Sequence, residues 1–378
     1  MAYDLVTPRG YNMYDCASLM QKAIRRGEIE NAGIAAYELA HSFHKMAWNR
    51  LLCVSAEDCF GVITKEIVKL YLKDAEENRG KKGYYKNLSY ISDAVNVLCK
   101  CLKSRDADYY ACNLIYSDFC SNRELDKSVK AEDCSSISME NFKIENIDTP
   151  FNVKKDNVEF SLFDKREDSP TVILSKNLQR AIISCDIESQ AFPCRTLVNV
   201  DNNLLWKTLL YLSDVKLNGM FNSEIVALKI AEDIFGKNKD VDPIFSSKAC
   251  CLLGYAFSKK IEGFVGLDEI QMNACSDIDK SSFVDIKNCS FTEGDFPKYT
   301  FDVHTLKGKK MGKTDWDMII DEELALHPLK KAFFDGGSWA WRYDYKKRNG
   351  KVGEKEYAIN LEYRKTHNAN PVDNLISK

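Results

Sequence analysis

The stretch Trp48-Asn49-Arg50-Leu51-Leu52-Cys53-Val54-Ser55 carries the reading of the fold, because it returns as Trp206-Lys207-Thr208-Leu209-Leu210-Tyr211-Leu212-Ser213. The same shift of 158 positions runs without a gap from Gln21/Gln179 to Leu70/Leu228. It also matches Ala23/Ala181, Ile24/Ile182, Ile29/Ile187, Glu30/Glu188, Leu39/Leu197, Glu66/Glu224, Ile67/Ile225 and Val68/Val226, and it keeps the charge at Lys22/Arg180 and Glu28/Asp186. With a small gap, Ser92, Ala94 and Leu98 then meet Ser247, Ala249 and Leu253. Within each copy the apolar residues recur at three- and four-residue intervals, as in Ile63, Ile67, Leu70 and Tyr71, which is the period of an amphipathic helix. The spacing between copies is far longer than a solenoid repeat, so it reads as duplication of a whole helical subdomain.

Breaks at Arg26-Gly27-Glu28 and Asn78-Arg79-Gly80-Lys81-Lys82-Gly83 fall where antiparallel helices need turns. The expected organisation is a mainly α protein: a first helical subdomain over 1–125, an exposed insertion or linker over 126–170, a second copy over 171–270, and a smaller mixed α/β region over 271–378. In the insertion only Val158 to Phe163 alternates like a strand. In the last region a β-hairpin is expected to turn near Asn349-Gly350.

A chain of 378 residues with 45% hydrophobic and 29% charged content and a net charge of -3 buries a substantial core and is neither disordered nor strongly basic. Any nucleic-acid contact therefore comes from a local patch. No run approaches the roughly 20 apolar residues that span a bilayer, so no membrane contact is expected. The 14 cysteines include no CxxC pair, and the start MAYDLVTPRGYN has no apolar signal run, which fits reduced thiols in the cytoplasm.

The run Lys307-Gly308-Lys309-Lys310-Met311-Gly312-Lys313-Thr314 follows the strand-like Tyr299 to His304 and approaches a P-loop. Only three residues separate Gly308 from Gly312, where the phosphate-wrapping loop needs four, so ATP hydrolysis is not expected. A basic loop touching nucleic-acid phosphates and a solvated loop both remain open. Glu38, His41 and His44 share the spacing of metal-binding helices, but no second ligand supplier accompanies them, and a solvated polar face is expected, with no metal and no cofactor. Between Trp339 and Lys365, aromatics alternate with Arg342, Lys346, Lys347 and Arg348, a pattern that suits single-strand binding or simply a packed hairpin. No nucleophile elbow is present, and no catalytic residue is assigned.

The blocks Leu19 to Gly27, Ala36 to Ala40, Trp48 to Leu52 and Ser55-Ala56-Glu57-Asp58-Cys59-Phe60-Gly61 resemble the C-terminal helical domain of the RarA/MgsA replication-associated AAA+ ATPases, relatives of the clamp-loader subunits. The matching positions include Lys22, Arg25, Arg50, Ser55, Glu57, Asp58 and Gly61, with Ala56 inserted between the Ser and the Glu; in the second copy Glu57-Asp58 becomes Val215-Lys216. In that family an ATPase module precedes this region, whereas here the block starts close to Met1. The resemblance thus implies a collar or scaffold role; it extends to phage and mobile-element proteins that keep the domain without the motor and have no settled activity. His304, Gly308 and Gly312 also resemble a block of those proteins.

The expectation is a non-catalytic accessory of DNA replication, recombination or phage–host interplay, acting by self-association and by contact with DNA, single-stranded DNA included, or with a replisome or host protein. Alternatives are a nucleic-acid-processing or nucleotide-dependent enzyme using the His304–Lys313 loop, and a protein-binding inhibitor of a host factor.

Overall fold

Two compact units make up the computed structural model: Met1–Arg105 together with Met272–Lys378, and Asp106–Gln271. The described residues are 5–108, 110–111, 124–148, 169–236, 243–258, 278–293, 295–314, 317, 347, 350 and 352–366. Among them the chain is helical, with only isolated bridges such as Val6 to Asn12 and Cys59 to Lys103.

The first unit contains α1 (Met13–Arg26), α2 (Ile29–Ser42), α3 (His44–Glu57), α4 (Thr64–Glu77) and α5 (Ser89–Lys100). Asn12 caps α1 by accepting from the amides of Tyr14 and Asp15, which satisfies donors that a helix start leaves without partners. At its other end Gly27 takes the left-handed conformation (φ +71°). The Gly27 amide donates to Ile24 and the Glu28 amide to Ala23, closing a Schellman motif. Trp48 sits in this core at 1% exposure, beside buried Leu51 and Leu52.

The second unit contains α6 (Pro170–Ile183), α7 (Ile187–Val200), α8 (Asn202–Tyr211), α9 (Asn222–Phe235) and α10 (Ile244–Phe257), with α8 prolonged by a π turn, Leu212–Lys216. Trp206 is fully buried against this core together with Leu209 and Leu210. Four of these five helices start at one shift from their counterparts, to within a residue, and consecutive helices pack in the same order in both units. The C-terminus of α6 repeats the bonds of α1, Cys185 to Ile182 and Asp186 to Ala181, with Cys185 left-handed at φ +56° where the first unit has Gly27. Gly61 (φ +76°) and Gly219 (φ +79°), also at that shift, turn the chain in the same left-handed way before α4 and α9.

The structure departs from expectation in four places. Part of the insertion is not exposed: Cys134, Ile137, Phe142 and Ile147 are buried, and short 3-10 turns at Met139–Phe142 and Ile144–Asn146 pack on α9. Residues 158–163 lie outside the described residues. The region after 271 belongs with the first unit and forms no separate domain, because its backbone is gripped by polar side chains of α1, α2 and α5. Asn96, for example, donates to the Val284 carbonyl (2.8 Å) and accepts from the Val284 amide (2.9 Å), as a neighbouring strand would. The strand-like Tyr299 to His304 is a 3-10 turn, Lys298–Thr300, leading into a cap.

Finally, the second strand expected for the hairpin is a helix, α12 (Glu354–Thr366); this numbering counts the short turn Leu306–Lys310 as α11. Glu354, Lys355, Glu356, Ala358 and Leu361 are strong helix formers, with acids in the first turn and Arg364 and Lys365 in the last, and these preferences outweigh the alternation of Tyr357, Ile359, Leu361 and Tyr363. The first strand, with Arg342 and Lys346, lies outside the described residues.

Candidate nucleic-acid interface

Arg25, Arg50, Glu57 and Asp58, four of the residues quoted for the resemblance, join one largely buried charge network with Gln21 and Arg105. Arg25, on α1, meets Asp58, at the end of α3, through two bonds: Nε to Oδ1 at 2.9 Å and Nη2 to Oδ2 at 3.0 Å. Arg105 Nη1 donates to Asp58 Oδ1 (2.8 Å) and Glu57 Oε1 (3.0 Å). Gln21 bridges outward, donating to Glu57 (2.8 Å) and accepting from Arg50 (2.9 Å). Burial alone would raise the Asp58 carboxyl, yet the Arg25 and Arg105 guanidiniums hold it below the ordinary carboxylate range. Ser55 donates to the Leu52 carbonyl (2.7 Å) and to Thr64 Oγ1 (3.1 Å), tying α3 to α4. These side chains fasten helices together.

Lys22 reaches from α1 into the C-terminal segment, donating to the Tyr299 carbonyl (2.9 Å) and pairing with Asp302 Oδ2 (2.6 Å). Burial brings its amine down to about 8. Burial opposes ionisation of Asp302 as well, but the hydrogen bond from His304 and the Lys22 charge hold its carboxyl well below its ordinary range.

Asp302 in turn shapes the loop of interest. Its Oδ1 accepts from the amides of His304 (2.8 Å) and Thr305 (3.2 Å), and Thr305 Oγ1 caps α11 by accepting from Gly308 (3.0 Å). A Cβ at Gly308 would stand 1.9 Å from the Asp302 carbonyl oxygen, so this glycine serves close packing of backbone on backbone. Gly312 is left-handed (φ +73°) and ends the turn, with the Lys313 amide donating to Gly308. The amides of Gly308, Lys309, Met311, Gly312 and Lys313 are thus bonded inside the turn and do not form the phosphate-wrapping nest of a P-loop.

What the turn presents outward is charge. His304, Lys307, Lys309 and Lys310 are exposed, with Leu306 and Met311 beside them. The Lys307 ammonium lies 4.0 Å from the centre of the Phe301 ring. Lys309 and Lys310 form no ion pair among the described residues. Lys347, expected to join this patch, instead pairs with Glu354 and lies 5.7 Å from the Tyr357 ring. Arg342, Lys346 and Arg348 lie outside the described residues.

The Glu38, His41 and His44 face is not solvated, contrary to the sequence expectation. Glu38 is buried, accepts from Thr7 Oγ1 (2.6 Å) and pairs with Arg9. His44 Nε2 meets Asp74 Oδ2 at 2.6 Å, and His41 is held between the rings of Tyr37 and Tyr84. The three side chains thus serve different neighbours and do not converge. Burial pushes the thiols of Cys16 and Cys99 up to about 12, away from the range of a reactive thiolate.

A basic feature that sequence reasoning missed lies on the second unit. An open groove of about 710 Å³ is lined by Lys130, Lys176, Arg180 and Lys216, with Glu132 and Ile183. Arg180 also pairs with Asp126 at 2.8 Å. The i, i+4 spacing of Lys176 and Arg180 is legible on α6, but Lys130 and Lys216 arrive from distant segments. No described helix is long and apolar enough to cross a membrane. Comparison with family models, with curated proteins and with solved structures yields no match to this chain.

Proposed function

We propose that this protein is a non-catalytic helical accessory that contacts nucleic acid through basic surface elements, as a scaffold in DNA replication, recombination or phage–host interplay. The observation that carries the reading is the outward presentation of Lys307, Lys309 and Lys310 on a turn anchored by Asp302, Lys22 and Gly308. A turn held from behind by buried bonds needs little ordering when it meets a phosphate backbone. The spending of His44, Glu38 and the Arg25–Asp58 pair on structural contacts supports a binding role over an acid–base one. The resemblance of residues 19–61 to the RarA-type helical domain supports placing that role near replication.

We further propose that the two units derive from duplication of one five-helix unit. In support, His44 joins Asp74 (2.6 Å) in the first unit, and at the same shift Asn202 donates to Glu232 (2.8 Å) in the second. Neither pair is identical in sequence, so the contact persists where the residue types changed.

The test is binding of a fluorescein-labelled oligonucleotide by the full chain and by Lys309→Glu/Lys310→Glu. Wild-type binding that the variant loses supports the reading; no wild-type binding at low salt contradicts it.

A further inference from the structure

We infer that the loop Arg79–Lys86, between α4 and α5, is a stacking site for single-stranded nucleic acid. This deepens the proposed function and rests on it for the ligand class, while the observations come from a different part of the first unit.

The loop reads Arg79-Gly80-Lys81-Lys82-Gly83-Tyr84-Tyr85-Lys86, four cations and two adjacent aromatics with no acid between Asn78 and Leu88. Its rings are turned outward: Tyr84 is 68% exposed and Tyr85 86%. In the same unit Trp48 and Phe60 are buried, while Tyr14 is another exposed ring. Two adjacent exposed rings add nothing to the core, and burying their faces against bases would recover apolar contact that folding leaves unused.

Such rings bind well only if they are already held in place, and two features hold these. The loop is clasped at its base by buried Asn78, which donates to the Asn87 carbonyl (2.8 Å) and accepts from the Asn87 amide (2.8 Å). Asn78 is itself fixed by Asp74 Oδ1 at 2.9 Å. Tyr84 is braced from beneath by the His41 ring, with centroids 4.2 Å apart, and His41 rests edge-on against Tyr37. A 3-10 turn, Gly83–Tyr85, fixes the backbone that carries both tyrosines.

Charge decides the partner. Arg79, Lys81 and Lys82 are exposed and Lys86 is half-buried. Glu77 borders the loop at the end of α4, but it accepts from Asn87 (2.8 Å) and lies 3.9 Å from Lys81. The Lys82–Lys86 side is therefore the open path for a phosphate backbone. Cations interleaved with exposed rings fit an unpaired strand, whose bases are free to stack, better than a duplex, whose bases are already stacked.

The experiment is fluorescence anisotropy with an oligothymidylate of about 15 nucleotides and a duplex of equal length, using the full chain, Tyr84→Ala/Tyr85→Ala and Tyr84→Phe/Tyr85→Phe. The alanine pair is expected to weaken single-strand binding by at least about tenfold, to change duplex binding far less, and the phenylalanine pair to retain binding. Wild-type binding that the alanine pair leaves unchanged overturns this inference and spares the proposed function; absence of wild-type binding overturns both. A flotation assay with phosphatidylserine vesicles supplies the rival outcome: vesicle binding that depends on both tyrosines, beside oligonucleotide binding that does not, overturns the inference in favour of a lipid surface.

Discussion

Arg25 holds Asp58 through two parallel hydrogen bonds of 2.9 and 3.0 Å, with the guanidinium and the carboxylate both out of solvent. Arg105 shares the same carboxylate at 2.8 Å, so removing Asp58 takes the central acid from two buried cations and leaves Glu57 to serve both. Removing one member of a buried pair costs about 3–5 kcal/mol. Asp58→Ala is therefore expected to lower unfolding free energy by about that amount, measured by urea titration. Glu57→Gln, at the more open edge of the network, is expected to cost less. Equal effects would mean that Asp58 is not the centre of the network.

Acid should weaken the hold of α1 on the C-terminal segment. Asp302 has its carboxyl depressed in the fold, so its stabilising contribution is complete above the carboxylate's unfolded value of about 3.9 and is lost as pH falls toward the lower folded one. Asp302→Asn removes that dependence. Thermal melts between about pH 5 and pH 2 are expected to show a shallower decline for the variant than for wild type. Parallel declines would show that the Lys22–Asp302 pair does not contribute to acid sensitivity.

The proposed duplication makes a symmetric prediction about the two tryptophans. Trp48 and Trp206 are equally buried, and truncation of each to Ala should cost about 3–5 kcal/mol. Trp206 also donates to Glu232 (2.9 Å), so its truncation is expected to be the more damaging of the two. A cost below about 1 kcal/mol at either position would contradict the equivalence.

The backbone offers a second, finer check. Gly27 and Cys185 occupy the same left-handed position after α1 and α6, and only glycine does so without strain. Gly27→Ala is expected to destabilise by about 1 kcal/mol, whereas Cys185→Gly should be neutral or stabilising in the same denaturation assay. Destabilisation by Cys185→Gly would show that the Cys185 side chain matters more than its backbone strain.

How much of this was legible in the sequence depends on the kind of interaction. The helices were legible because apolar residues such as Ile63, Ile67 and Leu70 repeat with the helical period. The burial of Trp48 and Trp206 was legible because each stands in the same apolar setting, three and four residues before a Leu-Leu pair. The Arg25–Asp58–Arg105 network was not legible as a contact, since its members come from three separate segments and nothing local announces them. Gly308 and Gly312 looked like phosphate-binding glycines, yet one serves close backbone packing and the other a helix end; composition alone does not separate those uses. The Tyr357 to Tyr363 segment misled because alternating apolar residues mimic a strand even where Glu, Lys and Ala favour a helix. In Arg79–Lys86 the turn was legible from its glycines, but the outward tyrosines depend on His41 and on the Asn78–Asn87 clasp.

The central claim, contact with a phosphate backbone through basic surface elements, is tested most directly by the salt dependence of single-strand binding by the wild-type chain. Each phosphate neutralised releases counterions, so the logarithm of affinity falls by about 0.7 for each tenfold rise in salt per contact. Contact through Lys307, Lys309 and Lys310 predicts a slope of about -2 or steeper in a log–log plot, reduced in Lys309→Glu/Lys310→Glu. A flat plot, or a slope unchanged in that variant, would contradict the account.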